Sequence, residues 1–187
     1  REWKRGTDLA AAPEIFRGEP KDVSAGAALL RDSTGAIQGR YAYRGLDFHD
    51  RAYFLMVDGD WVKLDMPEKS GLFGIVDDHI LFSTDVDWTV GGTTFPADSI
   101  VAAKLDAWKA DPNGAAKELV WAPGDRQTKQ GAAITANSMF VNLLDNVRGQ
   151  VLKFDYVDGS WVSERVPLPD NATVGVAAAD DNSDRIM

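Results

Sequence analysis

The sequence predicts an all-β protein assembled from repeated four-stranded antiparallel units. Three observations carry this expectation: a near-identical hexapeptide written twice 100 residues apart, short apolar or alternating runs along almost the whole chain, and turn signals separating them. The hexapeptides are Val57-Asp-Gly-Asp-Trp-Val62 and Val157-Asp-Gly-Ser-Trp-Val162, and each reads as a hairpin. An apolar run arrives, Asp-Gly reverses the chain because Gly takes positive φ freely and Asp tolerates it, and Trp-Val begins the return.

Taken in order, strands are expected at Pro13 to Gly18, Gly39 to Tyr43, Ala52 to Val57, Trp61 to Leu64, His79 to Thr84 and Ser99 to Leu105. Further strands are expected at Glu118 to Trp121, Ala132 to Ala136, Ser138 to Leu144, Gln150 to Tyr156, Trp161 to Val166 and Ala172 to Ala178. Asp58-Gly59, Asp77-Asp78, Gly91-Gly92, Pro112-Asn113-Gly114, Pro123-Gly124-Asp125, Ala136-Asn137, Arg148-Gly149 and Asp158-Gly159 supply turns between them. Helix is expected only within Leu105 to Ala116, as a single turn broken at Asp111-Pro112. Arg1 to Arg5 reads as a solvated strand edge, and Arg185 to Met187 as a strand after the turn Asp180 to Ser183. Neither end trails off in polar residues, so the chain is expected to be a piece of something longer.

The units repeat with a period near 50 residues, because Glu118-Leu-Val-Trp121-Ala-Pro123 is a third return strand between the two Trp hairpins. A second element recurs within the units, an acidic or Asn turn followed by an apolar strand: Asp77-Asp78-His79-Ile-Leu-Phe82, Ala136-Asn137-Ser-Met-Phe-Val-Asn142 and, more loosely, His49-Asp50-Arg51-Ala-Tyr-Phe54. About four strands per unit at that period is the pattern of a β-propeller blade. The expected organisation is one propeller fragment, residues 1–187, with blades at 21–68, 69–125 and 126–169 and partial blades at 1–20 and 170–187.

The chain has 187 residues, 44% of them apolar, with six Trp and eight Phe, enough for a packed core. Its formal charge is −9 and no basic patch breaks the acidic balance, which argues against nucleic acid as a partner. With no Cys there is neither a disulfide framework nor a thiolate zinc site, and the compartment, cytoplasmic or periplasmic, stays open. No run of 18 apolar residues and no leader-like segment is present, so no membrane partner is expected. The sequon Asn171-Ala172-Thr173 reads as a chance match.

Four stretches stand out: Ser83-Thr-Asp-Val-Asp-Trp-Thr-Val-Gly-Gly-Thr-Thr-Phe-Pro96, followed by Ile100-Val-Ala-Ala-Lys-Leu-Asp-Ala-Trp108, and, less distinctive, Gly18-Glu-Pro-Lys-Asp-Val-Ser24, Arg44-Gly-Leu-Asp-Phe48 and Asn142-Leu-Leu-Asp-Asn-Val-Arg-Gly149. Together they resemble the propeller domain of bacterial prolyl oligopeptidase family serine peptidases. The resemblance implies a two-domain parent: an α/β-hydrolase with a Ser, Asp and His triad, capped by a seven-bladed propeller that limits access to small peptides. This chain is then a middle portion of that propeller, its partners the hydrolase domain of the same parent and the oligopeptide substrate.

No catalytic, cofactor-binding or metal residue is assigned. The nucleophile elbow of such enzymes needs Gly-x-Ser-x-Gly between a strand and a helix, and no such pentapeptide occurs. A triad needs a His base, and the two candidates are His49, beside Phe48 and Asp50, and His79, expected to be a surface turn residue. Asp85 and Asp87 alternate on one strand face and read as solvated carboxylates lacking a third ligand for a cation. Gly91-Gly92 lacks a following Lys-Ser/Thr and a helix, so it turns a hairpin rather than cradling phosphate. Trp61, Trp121 and Trp161 fall on equivalent return strands and are expected to pack between blades rather than to stack on sugars.

Two functions are expected from this reading. The first is a noncatalytic propeller segment that restricts substrate access to a hydrolase domain, itself inactive. The second is a propeller-type module binding protein or glycan through loops on one face. A third expectation is self-association through open blade edges, since unpaired apolar edges invite pairing.

Overall fold

Residues 1–169, 172 and 174–187 are described in the computed structural model. Three consecutive stretches each fold into a four-stranded antiparallel sheet. The first comprises β1 (Ser24–Arg31), β2 (Ile37–Gly45), β3 (Arg51–Val57) and β4 (Asp60–Lys63) in sequence order. The second is ordered β5 (Ser70–Val76), β6 (His79–Thr84), β9 (Ile100–Lys104), β10 (Glu118–Trp121), with the hairpin β7 (Trp88–Val90) and β8 (Thr93–Phe95) inserted after β6 and a helix α1 (Leu105–Ala110) after β9. The third comprises β11 (Gln127–Ile134), β12 (Ser138–Asp145), β13 (Arg148–Val157) and β14 (Ser160–Arg165). Successive sheets meet along their first strands, β1 against β5 and β5 against β11, the arrangement of propeller blades.

The two Trp hairpins are equivalent residue for residue. Val57 faces Asp60 and Met56 faces Trp61 in one; Val157 faces Ser160 and Tyr156 faces Trp161 in the other. Their Asp-Gly loops carry φ of 50° and 94°, and of 51° and 85°, the doubly positive geometry of a two-residue hairpin turn. Gly91 and Gly92, at 57° and 79°, turn the β7–β8 hairpin in the same way.

The middle sheet is buried on both faces, which is why β6 and β9 read as continuous apolar runs rather than alternating ones. Ile80, Phe82, Val101 and Ala103 join Leu30, Tyr53, Leu55 and Leu64 of the first sheet. Leu81, Ile100 and Ala102 join Met139, Val141, Leu143 and Phe154 of the third. Blades diverge from their common axis, and aromatic side chains fill the wedge between the first two: Phe82 lies against Trp88 and Trp108, at centroid distances of 6.2 and 5.8 Å, and Trp88 against Phe95 at 6.0 Å. The inserted hairpin and α1 supply those rings.

Several expected strands are absent. Residues 13–18 form no strand; instead Phe16 lies 5.2 Å from Phe54 and 5.3 Å from Trp61, and Trp61 Nε1 donates to Ile15 O at 2.7 Å. The segment therefore covers the outer side of the first sheet as an extended strap. Arg1 to Arg5 is no strand edge either, because Trp3 Nε1 donates to Thr7 O at 2.9 Å within a turn and Arg1 reaches the carbonyl oxygens of Ala10 and Ala12. The described residues of Ala172 to Ala178 form no strand, and Val176 N donates to the Asn142 side chain at 2.9 Å. Arg185 to Met187 closes a short hairpin through a single bridge between Ala179 and Ile186. The third-sheet turn expected at Arg148-Gly149 sits instead at Asn146-Val147, and a Cβ on Gly149 would lie 2.9 Å from Ala172 O.

With four antiparallel strands, each sheet begins and ends on one face of the molecule. The links 64–69 and 122–126 and the second-to-third strand connections lie on this link face. First-to-second and third-to-fourth turns lie on the opposite turn face.

Candidate functional site

A cleft of about 640 Å³ opens on the turn face where all three sheets converge. Asp32 and Gln38 border it from the first sheet, Asp77, His79 and Lys104 from the second, and Asn137 and Tyr156 from the third. Local turn chemistry builds this rim. Asp32 accepts from Thr34 Oγ1 at 2.6 Å, from the backbone N–H groups of Thr34 and Ala36, and from Gln38 Nε2 at 2.5 Å. Those donors, led by the Thr34 hydroxyl, hold its carboxyl below the usual range. Lys109 of α1 reaches Gln38 Oε1 at 3.2 Å and ties the helix to the first sheet. Carboxylates, amides, hydroxyls and Lys104 line the cleft together with the apolar side chains of Ile75 and Leu105 and the Tyr156 ring, a mixed surface.

His79 is not the surface residue expected from its turn; it is 2% exposed. The reason is its place on the face of β6 that packs on the third sheet, where its ring lies 4.1 Å from Tyr156 and 5.5 Å from Trp161. Its Nδ1 is 2.6 Å from Asp77 O, which can only accept, so Nδ1 donates. Its Nε2 lies 3.4 Å from Glu118 Oε1 without hydrogen-bond alignment, and Trp161 Nε1 donates to the same oxygen at 3.3 Å. His79 is thus part of a joint between the second and third sheets. His49, on the link face of the first sheet, donates its backbone N–H to Asp47 Oδ1 at 2.7 Å, as Asp50 does. These two donors hold the Asp47 carboxyl below its usual range and fix the loop. The two histidines stand at opposite faces of neighbouring sheets.

Asp85 and Asp87 do not alternate along a strand. Asp85 pairs with Lys129 at 3.4 Å and Asp87 accepts from Ala97 N at 2.9 Å. Among the described residues no group of three or more His, Asp or Glu side chains is placed to hold a metal ion. No described helix is long and apolar enough to cross a membrane. The sequon at Asn171 lies outside the described residues. Trp161 packs across a sheet boundary, Trp121 lies in the core shared by the second and third sheets, and Trp61 packs on the strap.

Two of the stretches with family likeness meet in space, which sequence order alone conceals. Arg44 forms a bidentate pair with Asp22, at 2.7 and 3.0 Å, and a second ion pair with Glu19 at 2.7 Å. The guanidinium hydrogen bonds hold the Asp22 carboxyl below its usual range.

No family model matches the chain. It is 35% identical over 189 residues to an uncharacterized peptidase of Sinorhizobium fredii, covering 98% of this chain and 26% of that protein. An uncharacterized peptidase of Rickettsia prowazekii is 20% identical over 192 residues, with 99% and 27% covered. The fold matches a post-proline cleaving enzyme from Rickettsia typhi with a TM-score of 0.82 at 19% identity, over 97% of this chain and 27% of that one. The chain has the fold of a partial β-propeller and is similar over nearly its whole length to one segment of these proteins. This propeller segment spans about a quarter of the length of the peptidases it matches.

Proposed function

We propose that this chain is a noncatalytic propeller segment of a prolyl oligopeptidase-like serine peptidase, and that it restricts access to an α/β-hydrolase domain carried elsewhere in the same polypeptide. The observation that carries the reading is the match of nearly the whole chain to about a quarter of a peptidase, combined with its fold as packed four-stranded blades. The selection is steric. Blade edges packed around an axis leave a passage that admits an extended oligopeptide and rejects a folded protein, while the blades themselves contribute no bond-breaking group.

The test uses the full-length polypeptide. Its hydrolysis of a short unstructured peptide is compared with hydrolysis of the same sequence displayed on a folded carrier protein. The reading predicts cleavage of the free peptide alone, and a gain of carrier cleavage when packing between sheets is loosened by Phe82→Ala. Equal rates on both substrates in the unaltered protein contradict it.

A further inference from the structure

The sequence contains a single Asn-Gly pair, Asn113-Gly114, and both residues are exposed in the loop between α1 and β10. With no side chain on the following residue, the Asn113 side-chain carbonyl carbon and the Gly114 nitrogen are free to close a succinimide ring. The Asn113 amide is held at both ends. Asp65 N donates to Asn113 Oδ1 at 2.8 Å, and Asn113 Nδ2 donates to Lys63 O at 3.0 Å. A backbone N–H only donates and a carbonyl only accepts, so these partners fix which end of the amide is which. Lys63 ends β4, and Asn113 therefore ties the loop of the second sheet to the outer strand of the first.

The groups that ring closure requires stand around this pair. Gly114 N must lose its proton, and Asp111 Oδ1 accepts that N–H at 2.9 Å. Only glycine allows the approach, because a Cβ at this position would run into the Asp111 carboxylate. The N–H must be acidic, and Lys117 Nζ donates to Asn113 O at 3.1 Å, drawing electron density from the peptide bond that carries it. Lys117 is fixed there by a second hydrogen bond, to Pro112 O at 3.0 Å. Charge developing on Asn113 Oδ1 must be stabilised, and the Asp65 N–H already points at that oxygen.

We infer that Asn113 is a self-modifying site, its side-chain amide hydrolysed by water through a succinimide formed with Gly114. Asp111 takes the Gly114 proton, the bond from Gly114 N to Asn113 Cγ forms, the Cγ–Nδ2 bond breaks, and ammonia leaves with that proton. Water then opens the ring at Cγ to give Asp, or at the main-chain carbonyl to give isoaspartate. No atom changes oxidation state in either step. Both products lack the Nδ2 donor, so Lys63 O loses its partner from the second sheet and the tie between the first two sheets is released.

The test follows the tryptic fragment between Lys109 and Lys117 in the full-length polypeptide, held native or fully denatured at the same mildly alkaline pH. Mass spectrometry reads amide-to-acid conversion, and electron-transfer fragmentation separates isoaspartate from Asp. The expected result is conversion of Asn113 in the native protein, slowed about tenfold by Asp111→Asn under native conditions and unchanged by it in denaturant. That substitution creates no second reactive pair, because Pro112 has no N–H. An Asn113 that stays an amide in the native protein while converting in the denatured chain overturns the proposal, and this comparison needs no variant. Equal native rates with and without Asp111→Asn also overturn it. Asn113→Asp mimics one product and is expected to lower the denaturation midpoint; an unchanged midpoint overturns the release of the tie.

Discussion

Val147 is the residue at which local backbone preference and the observed structure disagree most. Val147→Gly relieves the strained φ of 63°, and the expected outcome is a stabilisation of about 1 kcal/mol, or roughly 2–4 °C in melting temperature for a chain of this size. A lower melting temperature would show that Val147 packs within the chain. Asp22 is the second residue-scale case. Its carboxyl is held below the ordinary value of 3.8 by the Arg44 hydrogen bonds, so its contribution to stability is present above that value and is lost as pH falls through the lowered one. Urea midpoints measured through the acid range are expected to fall less steeply for Asp22→Asn than for the unaltered protein. His79 shows what a turn context hides: Asp77-Asp78 before it suggests exposure, yet strand alternation turns the ring inward. His79→Ala removes packing on Tyr156 and Trp161, with an expected cost of about 3 kcal/mol by chemical denaturation.

At the scale of elements, the fourth strands and their hairpins were the most legible in the sequence. Asp-Gly with a following Trp states both the turn and the return, and β4, β10 and β14 fall at or within a residue of the expected starts. The first strands were not legible, and β1 and β5 escaped expectation entirely. Ser24-Ala-Gly-Ala-Ala28 lacks the β-branched and aromatic residues that mark strands, and in β5 Gly71 and Gly74 interrupt the apolar run. Gly74 sits at a close approach: a Cβ there would lie 2.7 Å from Ile134 Cδ1 of the next sheet's first strand. The strap at 13–18 misled for a different reason. Its apolar residues pack on the face of β3 and β4 rather than pairing at an edge, and hydrophobic pattern does not distinguish the two. Of the inter-sheet packing, the ring of Phe82 between Trp88 and Trp108 is the part most sensitive to deletion. Phe82→Ala leaves a cavity in the wedge between two blades, and a loss of about 4 kcal/mol is expected from the denaturation midpoint.

For the molecule as a whole, the period of the Trp hairpins led to blades, and the blades with their family likeness led to the proposal of a peptidase propeller. The turn-face cleft was not legible, because it joins Asp32, His79 and Asn137 from three separate sheets whose mutual placement only the fold supplies. Under the proposed gating role, selection by size would depend on the blades staying closed on one another, and the His79 joint and the Phe82 wedge are the contacts expected to bear on it. Sequencing the complete reading frame that carries this segment tests the central claim most directly. The account predicts Gly-x-Ser-x-Gly, then an Asp and a His, in an α/β-hydrolase domain of the same polypeptide; a complete frame with no hydrolase would contradict it and leave a binding propeller.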